Sequence, residues 1–285
     1  MIPGAFEYHR PTSLDEAIAL MAINGDAARV LAGGHTLIPM MKLRLAMPEH
    51  IIDLQAIEDL RGIGEDGGDL VIGAMTTQQD VIGSGPVARS WPLIIEAATQ
   101  IADPQVRARG TIGGNLANGD PANDLPAVML ALDAEYRVRG PNGERAIAAR
   151  DFYRSAFVTA LEDGEILASI RVPPAPAGTS YTKQKRKVGD YATAAAAVAL
   201  AMDGGRCTKA AIALTNVGDT PLLAAEAAAA LVGTPVDEAA TRAAAEAAMR
   251  ITQPVADGRG PADFRTHVAG VMTRRAIAAA RARAA

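Results

Sequence analysis

The segment ARVLAGGHTLIPMMKLRLAMPEHIIDL, residues 28–54, joins two short apolar runs through a glycine pair and a longer apolar run. ARVLAGG predicts a buried strand ending at Gly33-Gly34, TLIPMMKLRLA predicts a helix, and HIIDL predicts a second strand. Thr36 is a candidate cap for that helix, and Pro39 is tolerated in its first turn. Strand, helix and strand in this order form a βαβ unit, whose glycine turn presents backbone N–H groups to an anion.

A second glycine pair lies in RGTIGGNLANGDPANDLPA, residues 109–127. A loop this dense in Gly, Asn, Asp and Pro is also typical of an elaborate turn. The two short motifs AGGHT (32–36) and TIGGN (111–115) nevertheless match each other, since both surround Gly-Gly with small or hydroxyl side chains. Two such loops can hold a diphosphate from two sides, because glycine leaves the backbone N–H groups uncovered. The pair favours a dinucleotide bound between two subdomains.

Composition limits the classes of function. A chain of 285 residues is expected to form two or three compact units. Its formal net charge of -4 argues against a nucleic-acid-binding surface. The single cysteine excludes an internal disulfide framework and any site built from several thiolates of this chain. The four histidines lack zinc-motif spacing, so no metal site is expected, and the absence of a membrane-length apolar run or leader is typical of a cytoplasmic protein.

One glycine motif is discounted on its context. GIGEDG, residues 62–67, matches the G-x-G-x-x-G pattern of dinucleotide-binding proteins. Such a fingerprint follows a strand and opens a helix, whereas this one precedes the strand predicted in DLVIGAM. We therefore interpret residues 62–67 as a turn.

The remaining elements follow from periodicity and turn residues. Helices are predicted after the Ser13–Glu16 capping box, after a cap formed by Thr76 and Gln79, over 91–102, and near 222–232, 236–250 and 263–284. Strands are predicted over 128–147 (two, around a turn), 165–173 and 180–188, and PPAPAG (173–178) is the clearest linker. Over 194–218 alanine propensity favours a helix, but the Asp203-Gly204-Gly205 turn favours a hairpin, which we prefer.

The two glycine segments AGGHTLIPMMKLRLAMPEHIIDL and TIGGNLANGDPANDLPAVMLALDAEY resemble the FAD-binding medium subunits of molybdenum hydroxylases, and the similarity covers essentially the whole chain. The resemblance implies an α+β fold: a two-lobed FAD-binding domain of vanillyl-alcohol-oxidase (PCMH) type, then a small α+β domain. The lobes are expected at residues 1–55 and 56–175, and the C-terminal domain at 178–285. The match is closest to the carbon monoxide dehydrogenase branch; purines, N-heterocycles and aromatic acyl-CoA compounds are the alternative substrates of the complex.

The resemblance also implies which residues hold the FAD. Its diphosphate is expected against two sets of loop residues, Ala32, Gly33, Gly34, His35 and Thr36 in the first and Thr111, Ile112, Gly113, Gly114 and Asn115 in the second. Asp124 matches an acidic cofactor contact, Leu167 a backbone contact, Lys185 a lysine near the pyrimidine edge of the flavin, and Tyr191 an aromatic beside the ring. From its residue type alone, His35 is expected to bond to loop neighbours.

The lysine run KQKRK, residues 183–187, has two interpretations. A charged strand edge that resists aggregation is one. In the other, alternate residues Lys183, Lys185 and Lys187 share one strand face near the flavin, where a cation stabilises electron density gained on reduction. Only one lysine can have the best geometry, and Lys185 is our choice.

The partners are also implied by the resemblance. The chain shows no motif for activating a substrate, which suits an electron-transfer subunit. A large subunit with molybdopterin and a small subunit with two [2Fe-2S] clusters are expected, in a dimer of heterotrimers. The alternative is a free-standing FAD-dependent oxidase or reductase of the same fold.

Overall fold

The computed structural model describes residues 2–284; residues 1 and 285, the outer limits of the first and last predicted regions, lie outside the described residues. The N-terminal region contains the predicted βαβ unit, preceded by one more strand and helix. Its elements are β1 (Glu7–His9), α1 (Leu14–Asn24), β2 (Ala28–Leu31), α2 (Leu37–Lys42) and β3 (His50–Asp53). The three strands are parallel in the order β1-β3-β2, which places the first glycine loop at the carboxyl end of β2.

The second region is built on an antiparallel sheet. Its strands are β4 (Ile63–Asp66), β5 (Asp69–Gly73), β6 (Glu135–Gly140), β7 (Gly143–Ala148), the short pair β8 (Tyr153–Ser155) and β9 (Val158–Thr159), and β10 (Ile166–Val172). Its helices are α3 (Gln78–Gly83), α4 (Gly85–Ser90), α5 (Pro92–Ala98), α6 (Pro104–Arg107), α7 (Ile112–Ala117), α8 (Asp124–Ala131) and α9 (Ala149–Phe152). The sheet order β4-β5-β10-β6-β7 puts β10 at its centre, and β8 and β9 pair separately.

The third region is a four-stranded sheet packed against helices. Its elements are β11 (Gly178–Gln184), β12 (Ala194–Asp203), β13 (Arg206–Thr215), β14 (Leu222–Leu223), α10 (Ala225–Ala229), α11 (Glu238–Arg250) and α12 (Ala262–Arg283). The strands follow one another in chain order. The hairpin of β12 and β13 is confirmed, with Gly204 and Gly205 at positive φ in its turn. Among the helices in the described part of the chain, none has the length and apolarity of a membrane span.

The alanine-rich strand β12 lies between two apolar cores. Alternate side chains of a strand point to opposite faces. Ala195 and Ala197 belong to the core of the second region, whereas Ala196 and Val198 belong to the core beneath α11 and α12. Small side chains allow both layers to approach the strand closely, so a run that resembles a helix by propensity is stable as a buried strand.

Two helix predictions are corrected at their caps. Thr36 makes no side-chain capping bond to α2, whose six residues are shorter than the predicted run. The helix after β5 is capped by Thr77 and Asp80 in a reciprocal capping box, one residue later than predicted. Thr76 is buried, and its hydroxyl donates to the Gly62 carbonyl instead.

Three further predictions are wrong in part. Residues 128–131 lie in α8 rather than in a strand, because a helix buried on all sides shows no periodicity. The predicted turn at 62–67 is mostly strand β4, and the chain turns at Gly67 and Gly68. The strand predicted over 180–188 is β11, which ends at Gln184. Residues 222–232, predicted as one helix, contain β14 and a helix of only five residues, α10.

Candidate functional site

The two glycine loops lie in direct contact. A Cβ placed on Gly33 would come within 2.4 Å of the Arg109 carbonyl oxygen, and one placed on Gly114 within 3.1 Å of the Ala32 Cβ. Residues separated by more than seventy positions are therefore packed backbone to backbone. The fold brings together the two segments that the sequence analysis paired.

Most of these glycines are required by packing inside the protein. A Cβ on Gly113 would come within 2.4 Å of the Ala74 Cβ, and a Cβ on Gly114 within 2.8 Å of the Thr111 hydroxyl. Gly34 differs, because its φ of 81° lies in the left-handed region that favours glycine. The expectation that both pairs are glycine in order to admit a ligand is corrected: the close approach of protein backbone already requires Gly33 and Gly113.

The loops differ in their free hydrogen-bond donors. Within the described residues, the backbone N–H groups of the first loop, from Gly33, Gly34, His35 and Thr36, donate no hydrogen bond. Four N–H groups of the second loop donate to protein acceptors: Ile112 to the Thr76 carbonyl, Gly113 to the Ala74 carbonyl, Gly114 to the Thr111 hydroxyl and Asn115 to the Thr111 carbonyl. In the described part of the chain, Thr111 is the one member of the second loop whose N–H donates no hydrogen bond, so most of the uncommitted donors for an anion come from the first loop.

The second loop instead offers an acceptor. The side-chain oxygen Oδ1 of Asn115 is buried and has no hydrogen-bond partner among the described residues. Buried polar atoms are nearly always paired in folded proteins, so an unpaired one suggests a missing partner. The Asn115 carbonyl accepts from the Asn123 side chain at 2.8 Å, which connects this loop to α8.

His35 and Thr36 are exposed at the start of α2. Within the described residues, His35 makes no side-chain hydrogen bond, so the expected bonds to loop neighbours are absent. Ile112 is fully buried in the core, which leaves only its backbone for a ligand. Leu167 is buried in β10 at a bulge, where the register to β6 shifts between Leu167 and Ser169. Their roles toward a cofactor remain predictions.

Asp124 is the buried junction between α8 and the third region. The Tyr181 hydroxyl donates to its Oδ1 at 2.5 Å, and the Lys183 ammonium donates to its Oδ2 at 2.7 Å. Burial raises the pKa of the Asp124 carboxyl, and the charge of Lys183 opposes that shift. Both carboxylate oxygens already accept from protein donors, so the structure gives Asp124 a role in joining two regions in addition to the predicted cofactor contact.

The lysines do not share a strand face, because β11 ends at Gln184. Lys183 points into the ion pair with Asp124, Lys187 is exposed, and Lys185 lies half-buried with its ammonium 3.2 Å from the Gln100 side-chain oxygen. Desolvation and the nearby charge of Lys183 lower the pKa of Lys185. Of the three, Lys185 is the one that is half-buried and, among the described residues, forms no salt bridge.

Tyr191 lies in a small polar group that the sequence analysis did not find. The Arg259 guanidinium lies 5.6 Å from the centre of its ring, and the residue is 46% exposed. Burial, followed by the charge of Asp120, raises the pKa of the Tyr191 hydroxyl. Burial also raises the pKa of Asp120. Arg259 lies almost seventy residues after Tyr191 in the chain, and no local sequence pattern predicts that the two side chains meet.

Comparison with known proteins covers the whole chain. The model of the FAD-binding domain in molybdopterin dehydrogenase matches residues 4–175, and that of the CO dehydrogenase flavoprotein C-terminal domain matches residues 179–280. The carbon monoxide dehydrogenase medium chain of Afipia carboxidovorans is 58% identical over 286 residues, with 100% of this chain and 99% of the relative covered. The same-named chain of Hydrogenophaga pseudoflava is 49% identical, with 100% of both chains covered. A chain of reconstituted CO dehydrogenase from Oligotropha carboxidovorans superposes with a TM-score of 0.98 at 57% identity, covering 99% of this chain and 100% of that one.

Proposed function

We propose a function from one premise: the chain belongs to the family of FAD-binding subunits of molybdopterin dehydrogenases. It is the FAD-carrying medium subunit of a molybdenum hydroxylase, and the hydroxylase is an aerobic carbon monoxide dehydrogenase. The observation that carries this proposal is the set of uncommitted N–H groups in the first glycine loop, in a chain that matches carbon monoxide dehydrogenase medium chains over its whole length.

The residues present fit FAD. The N–H groups of Gly33, Gly34, His35 and Thr36 are donors for the diphosphate, and the buried Asn115 oxygen is an acceptor for a hydroxyl or amide of the cofactor. Behind the first loop, Gly33 lies against the backbone of Arg109 and Gly110, and Ala32 lies against Gly114.

Three further residues act at the flavin end. Lys185 offers a cation with little competition from neighbouring carboxylates, and Tyr191 offers an exposed ring face. Asp124 fixes Lys183 and Tyr181, and with them the position of β11 relative to α8. Bound FAD supplies a carrier that takes up electrons and passes them on.

The substrate chemistry is assigned to partner subunits. An iron–sulfur cluster requires several thiolates, whereas this chain has one cysteine, Cys207, which is buried. The clusters therefore belong to a partner. The similarity to carbon monoxide dehydrogenase medium chains implies a large molybdopterin subunit that oxidises carbon monoxide and a small subunit whose two [2Fe-2S] clusters relay the electrons, which this chain delivers to an external acceptor. The assembly is a dimer of heterotrimers.

The first test is cofactor content. The full chain is purified under mild conditions, offered FAD, separated from excess cofactor and denatured, and the released flavin is measured by absorption. We expect one FAD per chain. Protein that releases no flavin after this treatment would refute the assignment of the site.

The second test separates a relay from a self-contained enzyme. Under anaerobic conditions, carbon monoxide is added to the FAD-loaded chain alone and to the native complex, and the flavin absorption band is followed. We expect bleaching only in the complex. Bleaching of the isolated chain would show that it oxidises the substrate by itself.

A further inference from the structure

Two imidazoles and a carboxylate meet on the edge of the N-terminal sheet, away from the residues proposed to hold FAD. Glu7 and His9 are two apart on β1, so their side chains point to the same face. In the parallel pairing of β1 with β3, Glu7 is the register partner of His50. The strand spacing therefore brings all three side chains together although the chain separates His50 from the other two.

The donor atoms are close enough to share one ion. His9 Nε2 lies 3.0 Å from His50 Nδ1, and His50 Nδ1 lies 3.5 Å from a Glu7 carboxylate oxygen. One ligand atom from each residue lies within 4.8 Å of the other two. Tetrahedral zinc with bonds of about 2.0–2.1 Å separates two ligand atoms by about 3.3–3.4 Å. The two distances to His50 Nδ1 lie on either side of that value, and the exposed Glu7 carboxylate can move toward His9, so side-chain movements allow a metal to fit.

The surroundings suit an accessible site. The rings of His9 and His50 stack with centroids 5.3 Å apart, which holds both imidazoles in place. The His50 side chain is 20% exposed, while Glu7 is 75% exposed and can move onto an ion from solvent. A strand at the edge of a sheet leaves the outer coordination position open to water.

We propose that Glu7, His9 and His50 form a binding site for a divalent first-row transition metal, and Zn²⁺ is the ion used to test it. Two imidazoles and one carboxylate are the ligand types that zinc and copper accept, and Mg²⁺ and Ca²⁺ prefer oxygen ligands alone. The bound ion ties the first strand to the centre of its sheet. The sequence predicts no metal site because its histidines lack the spacing of known zinc motifs. That criterion does not detect ligands that two paired strands bring together.

The test uses the full chain after treatment with a chelator and return to chelator-free buffer. Zn²⁺ is titrated in competition with a chromophoric zinc chelator, and the unfolding temperature is measured with and without Zn²⁺. We expect one equivalent bound per chain and a rise in unfolding temperature. The affinity is expected to fall at least tenfold in Glu7→Gln and in His9→Gln. The matched control, His267→Gln on the exposed face of α12, should bind as the unchanged chain does.

A spectroscopic measurement identifies the ligands. With Cu²⁺ as the probe, electron paramagnetic resonance of the unchanged chain should show coupling to two imidazole nitrogens, and that of His9→Gln to one. Circular dichroism in the presence of chelator shows whether each variant is folded, and Glu7→Gln alters only an exposed side chain. Failure to bind stoichiometric Zn²⁺, or equal affinity in folded His9→Gln and the unchanged chain, would mean that the two histidines only share a proton.

Discussion

At the scale of single residues, neighbouring glycines in the first loop perform different tasks. Gly33 admits the carbonyl of Arg109, and Gly34 supplies a backbone conformation with φ of 81°. Within the described part of the chain, the N–H groups from Gly33 to Thr36 donate no hydrogen bond. The sequence predicted the two loops and their proximity, but it could not show which N–H groups the fold itself consumes, because those bonds depend on Ala74 and Thr76 in a distant segment.

Gly114→Val is expected to weaken FAD binding at least a hundredfold. The new side chain meets the Thr111 hydroxyl and the Ala32 Cβ, so it forces the two loops apart. Equilibrium titration with FAD measures the effect, and circular dichroism checks that the variant is folded. Gly64→Ala is the control, because the space around Gly64 is open and its φ is not positive. Unchanged FAD affinity in folded Gly114→Val would contradict the assignment of the loops.

Lys183→Met is expected to lower the free energy of unfolding by about 3–5 kcal/mol, since it leaves the buried Asp124 carboxylate without its cation. Urea unfolding at neutral pH measures this loss. Adding Asp124→Asn to the same variant should restore part of the stability, because the uncompensated charge is then gone. Lys187→Met, at an exposed position, should change stability little. Lys183→Met as stable as the unchanged chain would show that the ion pair contributes nothing, and equal stability of the single and double variants would show that the loss does not come from an uncompensated charge on Asp124.

At the scale of elements, burial decides where the sequence is informative. Half-buried elements such as α1 are predicted well, because one face is apolar and Ser13 caps the start. In α8 every residue is buried, so periodicity disappears and the sequence predicts a strand over residues 128–131. In β12 the alanine run favours a helix by propensity, and only the turn at Gly204 and Gly205 predicts the hairpin that the structure shows.

Ala197→Leu in β12 is expected to lower the free energy of unfolding by about 1–3 kcal/mol through overpacking. Ala197 is fully buried in the core shared with α8, which leaves no room for three more carbon atoms. Chemical denaturation measures the change. Ala243→Leu on the exposed side of α11 is the control and should be nearly neutral. A neutral Ala197→Leu would mean that the core has unfilled space at this strand.

At the scale of the whole molecule, one core extends across the boundary between the two matched domain families. Tyr181, Ala195 and Ala213 of the third region belong to the same apolar cluster as Leu70 and Ile72 of the second region. The linker PPAPAG predicts a boundary near residue 175. The two regions on either side of it have separate sheets but share one apolar core. The lobe boundary near residue 55 stays a prediction.

The shared core predicts that the second and third regions unfold together. Trp91 is the single tryptophan, is buried in that cluster, and donates its indole N–H to the Pro173 carbonyl at 2.7 Å. Its fluorescence should report the same urea midpoint as far-ultraviolet circular dichroism, which also records α11 and α12. Two separated transitions would show that the C-terminal region is an independent folding unit.

The contact of Gly33 with the Arg109 carbonyl has a consequence for protein engineering. Because each loop is shaped by the backbone of the other, neither is a portable module. A chimera that takes residues 32–36 from one family member and residues 109–115 from another combines surfaces that were never matched. Transplanting cofactor affinity or preference between members of this family therefore requires both loops to be exchanged as one unit.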